Sequence, residues 1–444
     1  MASAEKRPVQ PWSPDLVQNL RKVLLDLRAH PYPDIENPPE APKRAAVALI
    51  IRIQPHAQHW PPKSEGLNER SQFISPEDRI NAFFEQDWVR HGDPEALFIK
   101  RAARKGDKWT GHVALPGGRR DPEDADDQAT AMREAFEEVG LELSDDVAVA
   151  AGNLPQRVVT AAWGKIAVMV VCPYIFLLTS HAIPPLRLQP SEVASAHWVP
   201  LRALLSPSQR TFWYQDLSSR TVGRDFGFKR SIHRLMTGTM MFAAVRLVPS
   251  ESIYCTSIAE FLPIPGAYEM ETTEKADRKD EATNTNLTIP LIGASWHKAP
   301  SPVDTPLLLW GLTLSVMSDF LDMLPPQTAL RQWVYPTFTS LDLRFVLWLM
   351  SYRFRRRKQR ELEEEHRAVV PAVELGLDVV GWRHYGRVRQ DQRGSRSHAV
   401  GLLLQGYYDI IRRAIEVTLI ARVGVITAIC WMVHRKLKGR FTWT

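Results

Sequence analysis

The chain has 444 residues, with 56 Lys+Arg, 50 Asp+Glu and a formal net charge of +6 at pH 7. Its length predicts a core domain with extensions, and its ordinary apolar and charged fractions are those of a globular protein, which excludes a collagen-like chain. Cys172, Cys255 and Cys430 lie far apart and lack CxxC spacing, which argues against a zinc ribbon or a disulfide framework. This cysteine usage, and the absence of an apolar signal core in Met1–Trp12, predict an intracellular protein, in the cytoplasm or at the cytoplasmic face of a membrane.

The net charge is divided unevenly along the chain. Residues 341–444 contain 20 Lys+Arg against 10 Asp+Glu, whereas residues 1–340 contain 36 against 40. The basic C-terminal part is suited to anionic lipid or nucleic acid, and a solvated helical surface explains the same charges. Nucleic acid is the less favoured of these partners.

Residues 1–44 are predicted to form a helix followed by a linker. Ser13 and Pro14 are typical of a helix start, because serine caps the first turn and proline fits its first position. An apolar stripe at helical spacing is then expected to pack on the following domain: Leu16, Leu20, Val23, Leu24 and Leu27. The Pro-rich stretch 30–42 is typical of a linker.

Residues 45–325 are predicted to form the main α/β domain. Ala45–Ile53 is a continuous apolar run, which is typical of a buried strand. Two insertions are expected, a polar one at about 54–94 and one of disordered composition at about 266–304. The other predicted elements are strands at 95–100, 166–178 and 240–248, a helix at 126–139, a short helix or turn at 201–205 and a packed helix within 306–324.

The stretch 117–141 contains the strongest chemical signal. Glu134, Glu137 and Glu138 stand at positions i, i+3 and i+4 of a predicted helix, so their carboxylates project from one face. Three clustered acids repel one another unless a cation lies between them. An oxygen-only cluster suits Mg²⁺ or Mn²⁺, which in turn bind phosphate oxygens. A salt-bridged surface helix is the competing interpretation, but the single Arg133 is too little to pair three acids.

The run REAFEEVGL at 133–141 resembles the second half of the Nudix hydrolase signature, R-E-x-x-E-E-x-G and an apolar residue. The first half departs from the general pattern, because one extra residue separates Gly118 from Arg133 and the usual spaced glutamate is missing. Coenzyme A pyrophosphatase-like members have the same expansion behind P-G-G-x-x-D-x-x-D, to which Pro116–Asp124 is similar. Further similar segments extend the resemblance over roughly 45–324: 97–101, 111–118, 192–201 and the W-G-x-T run at 310–313.

The resemblance implies an α/β fold, a Nudix-type α/β/α sandwich with a mixed sheet. It also implies a Mg²⁺- or Mn²⁺-dependent pyrophosphohydrolase that cleaves the phosphoanhydride of coenzyme A or acyl-CoA to adenosine 3′,5′-bisphosphate and a 4′-phosphopantetheine. Glu137 and Glu138 would be the chief metal ligands, and Glu134 a ligand or the group that deprotonates water. The backbone carbonyl of Gly117 or Gly118 would be a further ligand.

Neighbouring residues are candidates for orientation or substrate binding. Arg133 would orient the carboxylates through charge-assisted hydrogen bonds. Arg101, Arg104 and Lys105 precede the glycines and suit a polyphosphate or the 3′-phosphate of coenzyme A, and solvated charge explains them equally well. The remaining candidates each have a structural alternative: Trp109 (adenine stacking or packing), Asp121 and Asp124 (metal binding or loop shaping), and Glu192 (remote ligand or base, with a surface role favoured).

Residues 326–444 are predicted to form a basic, mainly α-helical extension. Val417–His434 is an apolar run, and the basic run at 435–440 follows it, which is typical of a membrane contact through 417–440. Against this interpretation stands Arg422, which costs roughly 2.5–3.5 kcal/mol at the centre of a membrane helix. A buried or amphipathic helix is therefore slightly favoured over a membrane anchor.

Other functions fit the same residues. The chemistry could act on another nucleoside diphosphate derivative, such as a dinucleotide, an ADP-sugar or an RNA cap, and the arginine-rich run at 353–358 is the feature that favours RNA. A Nudix-fold binding or scaffolding protein is the remaining alternative. The intact Glu134, Glu137 and Glu138 argue against it.

Overall fold

The computed structural model describes residues 14–61, 75–103, 109–161, 166–180, 183–215, 238–255, 306–325, 334–374, 404 and 406–441. Its helices are α1 (Pro14–Ala29), α2 (Pro76–Glu85), α3 (Asp87–Arg90), α4 (Asp127–Val139), α5 (Leu201–Leu205), α6 (Gly311–Asp322), α7 (Leu341–Glu374) and α8 (Tyr407–Phe441). Its strands are β1 (Arg44–Gln54), β2 (Asp93–Arg101), β3 (Val113–Ala114), β4 (Gly117–Arg119), β5 (Ala148–Asn153), β6 (Arg157–Ala161), β7 (Ile166–Leu178), β8 (Val193–Pro200), β9 (Arg210–Gln215), β10 (Met240–Arg246), β11 (Glu251–Tyr254), β12 (Leu308–Trp310) and β13 (Thr337–Phe338).

The central sheet has the strand order β11-β8-β2-β1-β7-β5, with β3 on β2, β4 on β1 and β6 on β7. It is mixed, because β1 and β7 run parallel while β1 and β2 run antiparallel. Alternate residues of β1 enter two cores, Leu49 and Ile51 on one face and Ala48 and Ile50 on the other. Helices α1, α2 and α6 cover the first face and α4 covers the second. The predicted α/β/α sandwich with a mixed sheet is confirmed.

The N-terminal helix and the Pro-rich stretch are both held against this sandwich. Leu20 and Leu24 of α1 are fully buried in the first core. The backbone N–H of Tyr32 donates to Asn153 Oδ1 over 2.8 Å, and that of Ile35 donates to Gln156 Oε1 over 2.8 Å. The predicted linker is therefore held against the domain by hydrogen bonds from its backbone to Asn153 and Gln156.

The predicted polar insertion at 54–94 contains more structure than its composition indicates. Within it, α2 begins after Ser75, whose Oγ accepts the N–H of Asp78 over 3.1 Å. Phe83 and Phe84 of α2 are buried in the first core, so the helix is stabilised by packing. The predicted insertion at 266–304 lies outside the described residues.

A second sheet joins the main domain to the C-terminal region. Its order is β12-β10-β13, with β9 on β10. Because β13 pairs with β10, this sheet contains strands from both sides of the predicted domain boundary at 325/326. The boundary itself stays a prediction. Helices α7 and α8 pack beside it around a third core that includes Met240, Phe338, Leu347 and Ile411. The predicted helical C-terminal extension is confirmed.

Helix α6 is a core helix. Met317 and Phe320 are fully buried, and Asp319 receives a hydrogen bond from Arg157 Nη2 of β6 over 2.7 Å. Arg157 also donates to Ser315 Oγ over 2.7 Å, so the polar residues that interrupt the apolar run have partners in the interior. The predicted packed helix within 306–324 is confirmed.

Candidate active site

Helix α4 presents its acids at one edge of the central sheet. It begins after Asp126, whose side chain accepts the N–H of Ala129 over 2.7 Å, and ends at Gly140, which adopts a left-handed conformation with φ 69°. Ala131 and Ala135 pack on the sheet, which fixes the rotation of the helix. The helix geometry predicted for the acids is thereby realised.

The two glycines of β4 allow the chain to approach α4 closely. Gly117 has φ 152°, and a Cβ at this position would overlap the backbone of Ala46 in β1. A Cβ on Gly118 would overlap the carboxylate of Glu134. The backbone N–H of Gly117 donates to Glu138 Oε2 over 2.8 Å. The Gly-Gly turn therefore contacts two of the three predicted acids.

These acids are held in an environment that disfavours their charge. Burial raises the pKa of Glu138 to about 8, and repulsion from Glu134 and Glu192 acts in the same direction, while the N–H of Gly117 and the charge of Arg101 act against it. Burial also raises the pKa of Glu134, with Glu192 among the contributing charges. Glu138 itself is only 1% exposed. The cluster is therefore short of positive charge.

Glu192 reaches this cluster through backbone hydrogen bonds to the end of α4. The N–H of Arg187 donates to the carbonyl of Val139 over 2.8 Å, and that of Gln189 donates to the carbonyl of Glu138 over 3.0 Å. A turn follows, because the N–H of Glu192 donates to the carbonyl of Gln189 over 3.0 Å. Sequence reasoning favoured a surface role for Glu192. The structure instead places its charge close enough to act on both buried acids.

Arg133 holds together the loop before α4 and the helix itself. Its Nε and Nη2 donate to the two carboxylate oxygens of Asp124 over 2.9 and 3.1 Å, and Nη2 also donates to the carbonyl of Arg119 over 3.0 Å. Its Nη1 lies 3.2 Å from Glu134 and donates to Glu137 Oε2 over 3.1 Å. The predicted orienting position of Arg133 therefore agrees with its contacts.

Asp124 acts in the loop. Its carboxylate also accepts the N–H of Asp121 and the hydroxyl of Thr130, each over 2.9 Å. The hydrogen bond from Arg133 lowers the pKa of Asp124 to about 2. Asp121 is half exposed and lies 3.7 Å from Arg133. Of the two alternatives for Asp124, these contacts favour loop shaping.

Glu137 differs from the other two helix acids. Its side chain is 56% exposed and accepts a hydrogen bond from Arg133 on the same helix. Glu134, by contrast, has a side chain that is 12% exposed. The three acids share a stretch of helix, but Glu134 and Glu138 face the glycine turn while Glu137 faces solvent.

The basic loop ahead of the turn enters the site at Arg101. The N–H of Arg101 donates to the carbonyl of His112 over 3.0 Å, and the N–H of Gly111 donates to the carbonyl of Arg101 over 3.1 Å. Trp109 lies edge-on to His112 with ring centroids 5.6 Å apart, and it is about half exposed. Arg104 and Lys105 lie outside the described residues.

Sequence reasoning missed the aromatic surroundings of His112. Its ring lies 5.5 Å from Trp213 and 5.0 Å from Trp310, and these two tryptophans stack on each other at 5.1 Å. No local pattern links these residues, because they come from strands of the second sheet and from the loop before β3. These contacts give His112 a structural role.

The donor set fits a divalent cation. Glu134 and Glu138 both contact the glycine turn, and burial, their mutual repulsion and the charge of Glu192 raise the pKa of these two helix acids. A hard cation would relieve that repulsion, and carboxylate oxygens are the ligands such ions prefer. Because Gly118 has no side chain, its backbone approaches the Glu134 carboxylate closely.

Comparisons with known proteins agree with this arrangement. A model of the NUDIX domain matches residues 88–219. The chain is 31% identical over 309 residues to the uncharacterized protein C14C4.10c of Schizosaccharomyces pombe, which covers 69% of this chain and 79% of that protein.

Two further relatives are named as enzymes. Peroxisomal coenzyme A diphosphatase NUDT7 of Mus musculus is 37% identical over 118 residues, covering 26% of this chain and 43% of that protein. Peroxisomal coenzyme A diphosphatase ndx-8 of Caenorhabditis elegans is 36% identical over 107 residues, covering 24% and 42%. The chain thus spans less than half the length of these two diphosphatases. The matched domain contains the whole acid cluster, and divalent metals are the usual cofactors of its family. The chain belongs to the Nudix hydrolases.

Proposed function

We propose that this hydrolase cleaves the phosphoanhydride of coenzyme A or acyl-CoA, giving adenosine 3′,5′-bisphosphate and a 4′-phosphopantetheine. The observation that carries the proposal is the position of Glu134 and Glu138 against the Gly117–Gly118 turn, with the charge of Glu192 acting on both. The expanded spacing in front of Arg133 and the two relatives named as coenzyme A diphosphatases support this substrate class.

In this proposal Glu134 and Glu138 would hold Mg²⁺ or Mn²⁺, with a carbonyl of Gly117 or Gly118 as a further ligand and Glu192 as a candidate third carboxylate. The cation, when bound, neutralises phosphate charge and lowers the pKa of bound water. Glu134 accepts a proton from the attacking water, since its carboxylate lies beside the Gly118 backbone and burial raises its pKa. This assignment gives Glu134 and Glu138 different tasks despite their common helix.

Arg133 and Glu137 have supporting tasks in the proposal. Arg133 fixes the loop through Asp124 and keeps Glu134 oriented, at 3.2 Å. Glu137 remains a proposed ligand, and it would have to exchange its bond to Arg133 for the cation. The proposal therefore ranks Glu137 below Glu138.

The substrate's nucleotide end is assigned to the basic loop. Arg101, whose charge acts on Glu138, is proposed to bind a phosphate oxygen. Arg104 and Lys105 are proposed to bind the 3′-phosphate, and the half-exposed Trp109 to stack on adenine. Asp121 is kept as a minor contact.

A substrate panel tests the proposal. Purified protein is incubated with Mg²⁺ or Mn²⁺ and with coenzyme A, acyl-CoA, a dinucleotide, an ADP-sugar and capped RNA, and the products are identified by mass spectrometry. We expect adenosine 3′,5′-bisphosphate to form fastest from coenzyme A or acyl-CoA. Turnover of another panel member with none of coenzyme A would overturn the substrate assignment and leave the hydrolase class intact.

A further inference from the structure

The far half of α8 is exposed on every side. All side chains from 423 to 436 are exposed. They include large apolar residues whose exposure lies between 49% and 59%: Val423, Val425, Ile426, Ile429, Trp431, Met432 and Val433. Soluble proteins rarely leave so large a contiguous apolar surface in water. Something must therefore cover this part of the helix.

The distribution of these residues identifies what covers it. A helix that docks on a protein has one apolar stripe and one polar face. Here consecutive residues such as Val425 and Ile426, or Trp431, Met432 and Val433, are all apolar and all exposed, so they point in every direction around the axis. We propose that α8 inserts into a lipid bilayer, with residues 417–434 in the hydrocarbon and anionic headgroups at its basic flanks.

The structure removes the main objection to this insertion. Arg422 Nε donates to Asp342 Oδ2 over 2.6 Å, and its Nη2 donates to Asp342 Oδ1 and to Ser340 Oγ, each over 2.6 Å. The arginine that interrupts the apolar run thus enters lipid as part of a hydrogen-bonded pair. The sequence slightly favoured a buried or amphipathic helix, and the buried alternative is wrong for residues 423–436, because their side chains are exposed.

Helix α7 contributes to the same surface. It runs antiparallel to α8, since Asp342 contacts Arg422 while Phe354 lies 5.9 Å from Tyr407. Leu341 is 77% exposed and Phe345 is 62% exposed at the end of α7 where α8 emerges. Apolar residues of both helices therefore lie at the same depth and extend the contact with lipid.

Aromatic residues mark both limits of the apolar zone. Asp342 and Arg422 lie at the same depth because they form an ion pair. At 1.5 Å per residue, Trp348 lies about 9 Å from Asp342 along α7, and Trp431 lies about 14 Å from Arg422 along α8 in the opposite direction. The two tryptophans are thus about 23 Å apart along the axis, somewhat less than the hydrocarbon thickness of about 30 Å. Tryptophan is enriched at both interfaces of membrane helices. Arg435 lies 5.5 Å from the ring of Trp431, so the far end also carries a cation.

The near limit offers a binding surface for anionic headgroups. Beside Tyr352 lies a cavity lined by Arg353, Arg356, Arg357, Arg360 and Glu361. Arg356 lies 5.1 Å from the ring of Tyr352, and Glu361 accepts from Arg357 over 3.1 Å, which leaves an excess of positive charge in the lining. Juxtamembrane clusters of this kind attract acidic phospholipids.

Vesicle flotation tests the insertion with the full chain. We expect the protein to float with phosphatidylcholine–phosphatidylserine vesicles and to remain bound after a high-salt wash, because salt screens surface charge but does not remove inserted apolar residues. Val425→Asp combined with Ile429→Asp should reduce flotation at least about tenfold. Val248→Asp alters an equally exposed valine outside α8 and should float like the wild type.

The outcomes distinguish insertion of α8 from the absence of lipid binding and from binding through other residues. A wild-type protein that stays at the bottom of the gradient, or a double variant that floats like the wild type with an unchanged melting temperature, would overturn the proposal. Equal flotation on phosphatidylcholine alone would overturn the role given to the arginines. Since flotation does not require hydrolysis, its result is independent of the proposed substrate.

Cys430 provides a second measurement without a substitution in α8. It is exposed, whereas Cys172 and Cys255 are buried. With vesicles present, we expect its labelling by a membrane-impermeant maleimide to slow at least about tenfold, as a residue in hydrocarbon is shielded from water. If concentrating the protein without vesicles gives the same protection, a second copy covers the helix and the bilayer assignment fails.

Discussion

The acid cluster beside α4 and the far half of α8 break the usual distribution of residues in opposite ways. Near α4, carboxylates are buried, and burial raises the pKa of Glu138 to about 8. On α8, large apolar side chains are half exposed to water. Each arrangement is unfavourable in the isolated chain, and each becomes favourable when a specific component is added, a cation in one case and lipid in the other.

The two regions also differ in how firmly they are held. Around α4, backbone contacts, glycine turns and Arg133 determine the position of each acid. The far half of α8 extends beyond the third core, past the Arg422–Asp342 ion pair that joins α8 to α7. Precise placement is needed to align a reaction, whereas a bilayer accepts any rotation of an apolar helix. Substitutions should therefore have sharply local effects near α4 and additive ones on α8.

The largest expected effect is on catalysis. Glu138→Gln should reduce kcat for the best panel substrate by about 10³-fold or more, because it removes a charged ligand from a cation that contributes several kcal/mol. Glu137→Gln is the matched control, on the same helix but facing solvent, and should cost less than about tenfold. Steady-state kinetics at saturating Mg²⁺ distinguish them. An equal loss in both variants would show that exposure does not rank the acids.

A buried ion pair should give the largest effect on stability. Asp319→Asn leaves Arg157 without its charged partner in the interior, where both side chains are nearly inaccessible. We expect the free energy of unfolding to fall by about 3–5 kcal/mol in denaturant titrations. A change below about 1 kcal/mol would mean that the guanidinium finds other partners, and it would weaken the contrast between buried and exposed charge.

Glycines in the two regions differ in how closely other atoms approach them. Gly118→Ala places a methyl group against the Glu134 carboxylate and should lower kcat by about 10²-fold through misplacement of that group. Gly424→Ala on α8 is the control, because a Cβ there meets no described atom within 4 Å. Wild-type kinetics in the Gly118 variant would contradict the close approach of β4 and α4.

How much of this could be predicted from sequence depends on whether the signal is local. The spacing of Glu134 and Glu138 and the left-handed Gly140 are properties of a single helix, and that helix spans 127–139 against an expectation of 126–139. The position of Glu192 depends on backbone hydrogen bonds between residues 187–189 and the end of α4, which no local pattern encodes. Likewise, the free-energy cost expected for Arg422 in a membrane did not include its pairing with Asp342, a residue 80 positions away.

The metal-free protein should lose stability as the pH rises. The pKa of Glu138 is about 8 in the folded chain and near 4.5 when solvated, so the unfolded state releases its proton first. Stability therefore falls between about pH 4.5 and 8, by up to about 1.4 kcal/mol per pH unit for one group. Thermal melts of chelator-treated protein at pH 6 and 8 measure this slope. Glu138→Gln should flatten it, and an unchanged slope would assign the effect to other groups.

The smallest effect is expected at the base of the exposed helix. Asp342 is about half exposed, and a surface ion pair is worth roughly 0–1 kcal/mol in water, so Asp342→Asn should change the free energy of unfolding by less than about 1 kcal/mol without vesicles. In a bilayer the same change leaves Arg422 without its carboxylate, where an unpaired charge is far more costly. Vesicle flotation should therefore weaken while denaturant curves in buffer stay nearly superimposable. If flotation is unaffected, Arg422 lies at the headgroups, and the hydrocarbon begins at residue 423.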